Sequence, residues 1–299
     1  MEAGFPSGAG GAINKLGASA PGPATMKNKP DNRLPIGIFD SGMGGLTVMR
    51  ALRARLPGEN LLYLGDTARL PYGTKSADTV TRYAVTAAQA LTARGIKMLV
   101  VACNTASSVA LPALTEALAP LPVIGVIEPG AQAAIDAAKG APVAIIATEG
   151  TVKGGAYVRA IQALAPDLPV VQQAAPLLVP LAEEGLVTGE IARLAVARYL
   201  TPLLATVPQP RILVLGCTHF PALKETIAQV AGPDVTLVDS AETTARSVEA
   251  KLDALKLRNG GANGKSYFLA TDAPDRFSRV GEIFLGAPID PGDVEVVDL

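Results

Sequence analysis

The 299-residue chain has no tryptophan, one histidine and two cysteines, and aromatic residues make up only 4% of it. Each scarcity excludes something. So few aromatic rings argue against a stacking platform for nucleic-acid bases. Two cysteines far apart in sequence are no disulfide framework, and with a single histidine they are too few for a closed zinc site; no Cys-X-X-Cys spacing suggests a dithiol redox centre either. A formal net charge of -1 gives no electrostatic case for nucleic acid or an anionic membrane. No apolar run approaches the length that spans a bilayer. What is left is a globular balance, 49% hydrophobic and 18% charged, in a chain long enough for two α/β domains. Small-molecule chemistry in a reducing cytoplasm is the expectation.

The scarce residues are not scattered. Met98-Leu99-Val100-Val101 is a short apolar run that reads as a strand buried on both faces, and Ala102-Cys103-Asn104-Thr105-Ala106-Ser107 reads as the turn into a helix. Cys103 thus falls at the carboxyl end of a strand, the rim where open α/β sheets bind ligands, and a helix N-terminus there favours a thiolate. Taken alone, Cys103 is as well explained as a small core hydrophobe. The design is repeated, however, in Arg211-Ile212-Leu213-Val214-Leu215-Gly216-Cys217-Thr218-His219-Phe220-Pro221, with proline where a first helical turn tolerates it. Both cysteines and the only histidine lie in these twin stretches.

Residues 1–33 are rich in Gly, Ala and Pro, lack periodicity and are expected to be disordered. The fold then begins at Ile36-Gly37-Ile38-Phe39-Asp40-Ser41-Gly42-Met43-Gly44-Gly45-Leu46, read as a strand, a glycine-rich turn and then a helix through about Arg55. The glycine spacing departs from the dinucleotide fingerprint, and Asp40 at its mouth would repel a phosphate. Asp40 is either part of a plain turn or an acid poised beside a reactive carbon. A second strand, Asn60 to Leu64, leads to Asp66 and a stiff Pro71-Tyr72-Gly73 loop; a solvated loop explains the proline and glycine, but less well two carboxylates at neighbouring strand ends. A helix over Ala77 to Arg94 precedes the Cys103 strand. Val123 to Ile127 is read as a strand broken by Glu128-Pro129-Gly130, where the chain crosses into a second domain. There the order restarts: strand Ala141 to Ala147, a Thr148-Glu149-Gly150-Thr151 turn, a helix from Gly155 to Leu164, a strand from Val170, a helix over Thr188 to Leu204, then the Cys217 strand. Strand Val235 to Val238 and helix Thr243 to Leu255 return the chain, and Tyr267 to Asp272 with Val294 to Leu299 form an added strand pair. The fold class is therefore α/β, two similar doubly wound domains facing each other across a cleft, by internal duplication. The expected division is 34–128 with 240–299 in the first domain and 129–239 in the second.

Four motifs in register, the Asp40-Ser41-Gly42 turn, Gly65-Asp66-Thr67-Ala68-Arg69 with Pro71-Tyr72-Gly73, Ala102-Cys103-Asn104-Thr105-Ala106-Ser107 and Gly216-Cys217-Thr218-His219, resemble the glutamate racemases, cofactor-independent enzymes that supply D-glutamate for peptidoglycan. The likeness runs from about Pro35 to Leu255; Phe220 departs from it, standing where a tyrosine is common. It implies substrate between two α/β domains with a thiol on either side of its α-carbon. Cys103 would take the α-proton of D-glutamate and Cys217 that of L-glutamate, each reprotonating for the other, with Asp40 the partner of Cys103 and His219 of Cys217. A helix N-terminus after each cysteine would favour thiolate. Donors at Ser41, Tyr72, Gly73, Asn104, Thr105, Thr148 and Thr218 would hold the two carboxylates, and Asp66 and Glu183 would lie near the ammonium. No cofactor and no metal are implied, and no lysine stands at a strand end to hold pyridoxal phosphate. A cytoplasmic homodimer acting on free glutamate, with no nucleic-acid or membrane partner, completes the expectation.

The chemistry stands apart from the resemblance. Inverting a carbon by proton transfer needs a base on one face and an acid on the other, and a thiol of ordinary pKa, about 8.5, can serve as either. Two other readings use the same features. An aspartate racemase or another cysteine-pair isomerase would share the build and differ in pocket depth. A two-lobed amino-acid binding protein would need neither cysteine. His219, finally, is either a partner of Cys217 or a capping or core histidine.

Overall fold

The computed structural model describes residues 31–299, so the disordered tail expected up to residue 33 lies almost wholly outside the described residues. The aliphatic runs form strands β1 (Ile36–Asp40), β2 (Leu61–Gly65), β3 (Met98–Val101), β4 (Val123–Gly125), β5 (Val143–Ala147), β6 (Val170–Ala174), β7 (Ile212–Gly216), β8 (Thr236–Asp239), β9 (Ser266–Ala270) and β10 (Val294–Val296). They pair in parallel as two sheets, β10-β9-β2-β1-β3-β4 and β6-β5-β7-β8. Within the first sheet, β2-β1-β3-β4 has the same order as the whole of the second. The duplication is thus visible as topology, and each cysteine strand, β3 or β7, lies beside the first strand of its set. In that order the chain leaves the first strand to one side and returns on the other. The carboxyl ends of β1 and β3, and of β5 and β7, therefore flank a topological switch point, where such sheets open a crevice.

The central strands β1, β2, β3, β5 and β7 are buried along their whole length because both of their faces are covered. Along β1, Ile36 and Ile38 enter one core while Phe39 enters another; along β3, Met98 and Val100 alternate with Leu99 and Val101 in the same way. In β7, Leu213 and Leu215 share the core of Ile36 and Ile38, whereas Ile212 and Val214 face a third cluster. One continuous core therefore joins the inner faces of both sheets, and each fully buried Ile or Leu in it contributes about 1.5–3 kcal/mol.

Helices α1 (Leu46–Arg55), α2 (Ala77–Ala93), α3 (Asn104–Val109), α4 (Leu111–Ala117), α5 (Ile127–Ala138), α6 (Glu149–Gly154), α7 (Ala156–Leu164), α8 (Leu178–Glu183), α9 (Gly189–Leu204), α10 (Lys224–Ala231), α11 (Ser240–Leu255) and α12 (Pro274–Leu285) cover the sheets. In α2, Val80, Ala84, Ala87 and Leu91 are buried at helical spacing, and the Ser76 hydroxyl caps the helix by accepting from the Thr79 N–H.

Three local expectations are corrected. Glu128-Pro129-Gly130 does not break a strand: β4 ends at Gly125, and the three residues sit in the first turn of α5, where a proline has no intrahelical hydrogen bond to lose. The helix expected from Gly155 to Leu164 is α7, but the Thr148-Glu149-Gly150-Thr151 stretch expected as a turn opens a further short helix, α6, which meets α7 at Gly155, whose φ of 60° favours glycine. The helix expected straight after Cys217 starts only at Lys224, behind a 3-10 turn over Phe220–Leu223. Cys103 caps a helix directly; Cys217 does not.

Candidate active site

A cavity of about 100 Å³ opens where six strand ends converge. Ser41 follows β1, Tyr72 and Gly73 follow β2, and Cys103, Asn104 and Thr105 follow β3; Thr148 follows β5, Pro176, Val179 and Pro180 follow β6, and Cys217, Thr218 and His219 follow β7. Both thiols, which belong to different sheets, therefore line one space. Register brings them there: Phe39 pairs with Val101 and Ala147 with Gly216, so the residues just past these strands stand side by side at the rim.

Cys103 is buried and unpaired. Its sulfur accepts from the Ala106 N–H at 3.4 Å, as the cap of α3, and its thiol donates to the Ser41 hydroxyl at 3.6 Å. Burial, and then the nearby Asp40 carboxylate, push this thiol up to about 12, despite the favourable Ala106 and Ser41 contacts. Asp40 is fully buried; one carboxylate oxygen accepts from the Gly42 N–H at 3.0 Å and the other has no partner. Burial raises its pKa, with His219 and the turn amides opposing. The glycine turn thus wraps its own aspartate.

On the other side, Cys217 Sγ lies 3.8 Å from His219 Nδ1, and the Thr218 hydroxyl lies 3.4 Å from the same nitrogen. His219 Nε2 is 3.0 Å from Glu183 Oε1, and Arg276 donates to Glu183 Oε2 at 2.9 Å. Burial works against charge on His219, but the hydrogen bonds to Cys217 and Glu183 outweigh it and raise the imidazole to about 10. Burial also works against charge on Glu183, and there His219 and Arg276 prevail and hold the carboxyl below its ordinary value. The Phe284 ring meets His219 edge-on, centroids 5.0 Å apart.

Hydroxyls and an amide join the two walls. Thr105 and Thr148, one from each half, are 2.9 Å apart, and Thr148 also caps α6 through the Thr151 N–H. Tyr157 donates to Asn104 Oδ1 at 2.8 Å, which fixes the amide with Nδ2 buried and unpartnered at the cavity wall. An orphan donor there suits a ligand carboxylate.

Of the residues singled out in the sequence, Ser41, Tyr72, Gly73, Cys103, Asn104, Thr105, Thr148, Cys217, Thr218 and His219 line the cavity. Three carboxylates do not. Asp40 stands behind Ser41 and Cys103; Asp66 is buried behind Tyr72, accepting from its hydroxyl at 2.5 Å and from Thr271 at 3.0 Å; Glu183 stands behind His219. The structure adds Thr74, Glu149 and the Pro176 to Pro180 segment. The last follows a strand end and is visible to the rim rule; Tyr157 and Arg276 carry no local signal at all. Among the described residues no cluster of histidine, cysteine and carboxylate side chains is placed to hold a metal ion, and no helix is long and apolar enough to cross a membrane.

Two thiols converging on one space, one beside a buried acid and the other beside an imidazole raised to hold its proton, equip a protein to move protons on and off a carbon from two directions. This is the apparatus of an isomerase that works by proton transfer. The Asp/Glu/hydantoin racemase family model matches residues 42–248. The glutamate racemase of Geobacter metallireducens is 49% identical over 88% of this chain and 96% of its own length. The crystal structure of the Francisella tularensis glutamate racemase with D-glutamate superposes with a TM-score of 0.83 at 36% identity, over 89% of this chain and 98% of that one. The Thermus thermophilus enzyme in complex with β-chloro-D-alanine gives 0.80 at 45% identity, over 90% and 98%. The chain belongs to the Asp/Glu/hydantoin racemase family, and its two-sheet fold is that of the glutamate racemases.

Proposed function

We propose that the protein interconverts L- and D-glutamate by two-base proton transfer, supplying D-glutamate for peptidoglycan. The observation that carries this reading is the convergence of Cys103 and Cys217, from equivalent strand ends of two like halves, on one small cavity. Cys217 as thiolate, paired with the His219 imidazolium, removes the α-proton of L-glutamate, and Cys103, held as thiol by its burial and by Asp40, delivers one to the opposite face; the reverse reaction exchanges the roles. Ser41, Tyr72, Gly73, Asn104, Thr105, Thr148 and Thr218 form the polar wall for the substrate carboxylates. Asp66 and Glu183 act through Tyr72 and His219, to which they are hydrogen-bonded.

We place the enzyme in the cytoplasm, where two unpaired thiols stay reduced, and expect a homodimer, for which exposed Ile191 and Leu194 on one face of α9 offer apolar surface. The test is polarimetric. Purified protein with no added cofactor should invert L-glutamate and D-glutamate, and L-aspartate poorly, by circular dichroism. In D₂O, product from either enantiomer should carry solvent deuterium at the α-carbon. Dependence on added pyridoxal phosphate, or a preference for aspartate, would overturn it.

A further inference from the structure

Cys217, His219 and Glu183 all belong to the half built on the second sheet. Arg276 does not: it lies in the first turn of α12, which packs against α1 and β10 of the first half. From there its guanidinium donates to Glu183 Oε2 at 2.9 Å, leaving Oε1 for His219 Nε2 at 3.0 Å and His219 Nδ1 turned toward the Cys217 sulfur at 3.8 Å. A second residue of α12 reaches the same histidine. Phe284, fully buried and two turns further along, meets the His219 ring edge-on. The Cys103 side has no such relay, since Asp40 is held by its own turn and keeps one oxygen unpartnered.

We infer that Arg276 is a positioning residue for the Cys217 half-reaction: from the opposite half of the molecule it pins Glu183, which in turn orients His219 on the thiol. The hydrogen-bonded row is complete only when the two halves are together, so closure of the cleft and readiness of Cys217 are one event. An arginine suits the task, because its planar fork fixes a carboxylate where an ammonium would leave it free to rotate. The inference rests on the two-thiol reading above and adds an asymmetry to it: losing Arg276 should weaken one base and spare the other.

Racemisation cannot show this, because enantiomeric substrates have equal free energies and any loss must fall on both directions of kcat/KM alike. One-base elimination can. With 3-chloroglutamate a thiolate takes the α-proton, the C–H electron pair forms the α,β double bond, and chloride leaves with its own bonding pair. The enamine tautomerises and hydrolyses to 2-oxoglutarate and ammonia, so no second base is used. Cys217→Ser marks the enantiomer that depends on Cys217. For that enantiomer Arg276→Gln should lower kcat of elimination about tenfold, the scale of one charge-assisted hydrogen bond, with KM little changed. The other enantiomer should stay within about twofold, and Arg276→Lys should recover part of the loss. Equal loss for both enantiomers would make Arg276 a structural prop, and no loss for either would make it idle; both overturn the inference. A wild-type chain that neither racemises nor eliminates would bring down the two-thiol reading itself, and this inference with it.

Discussion

Replacing Gly44 by alanine adds a single methyl group at the point where the two halves of the molecule come closest to the reacting groups. A Cβ built there stands 2.5 Å from both His219 Nδ1 and the Thr218 hydroxyl oxygen, about 1 Å inside ordinary van der Waals contact. Gly44 has no positive φ, so the alanine backbone is unstrained and the clash is the whole effect. His219 has little room to yield, with Glu183 on its other nitrogen and the Phe284 edge on its ring. Overpacking of this kind costs about 1–3 kcal/mol. If the halves relieve it by separating, the population of the assembled site falls about 5- to 150-fold. Initial rates by circular dichroism should show that loss in kcat/KM, by the same factor from L- and D-glutamate. The melting temperature should fall by about 2–12 °C, that is about 2–4 °C for each kcal/mol of overpacking. A variant within about twofold of wild type, or one that does not fold, would refute the view that glycine is required here by the site.

Two further outcomes follow from the charges in the cavity. Because Cys103 is pushed up to about 12 by burial and Asp40, roughly one molecule in 10⁴ carries its thiolate at pH 8; carboxymethylation of Cys103 in the free enzyme should be slow and still accelerating above pH 10, and a plateau near pH 9 would contradict its environment. His219, raised to about 10 against an ordinary 6.5, gives stability that is complete below pH 6.5 and is lost as pH rises through 10. The melting-temperature advantage of wild type over His219→Gln should therefore shrink across that window, and a pH-independent difference would dismiss the charged pair.

The sequence by itself determined the order of the strands, the longer helices such as α1, α2, α9 and α11, the duplication and the two cysteines at matching strand ends, because apolar runs and glycine turns are local signals and the second half repeats the first in order. Its resemblance to the glutamate racemases, carried by four motifs, also pointed to ten of the residues that line the cavity, all on segments that follow a strand's carboxyl end. Local pattern failed where helix starts are ambiguous: Pro129 reads as a breaker but occupies a first turn, and Pro221 reads as an α-helical entrance but lies in a 3-10 turn. That left Cys217 without the helix terminus that Cys103 has, and only the folded chain shows what stands there instead, a histidine, a glutamate and an arginine in a row. Only the tertiary structure decided that Asp66 faces Tyr72 and that Tyr157 sets the Asn104 amide. The reason is physical. Tyr157 and Asn104 are 53 positions apart, and Glu183 and Arg276 are 93, and no periodicity links residues whose meeting depends on how two separately folded sheets pack together.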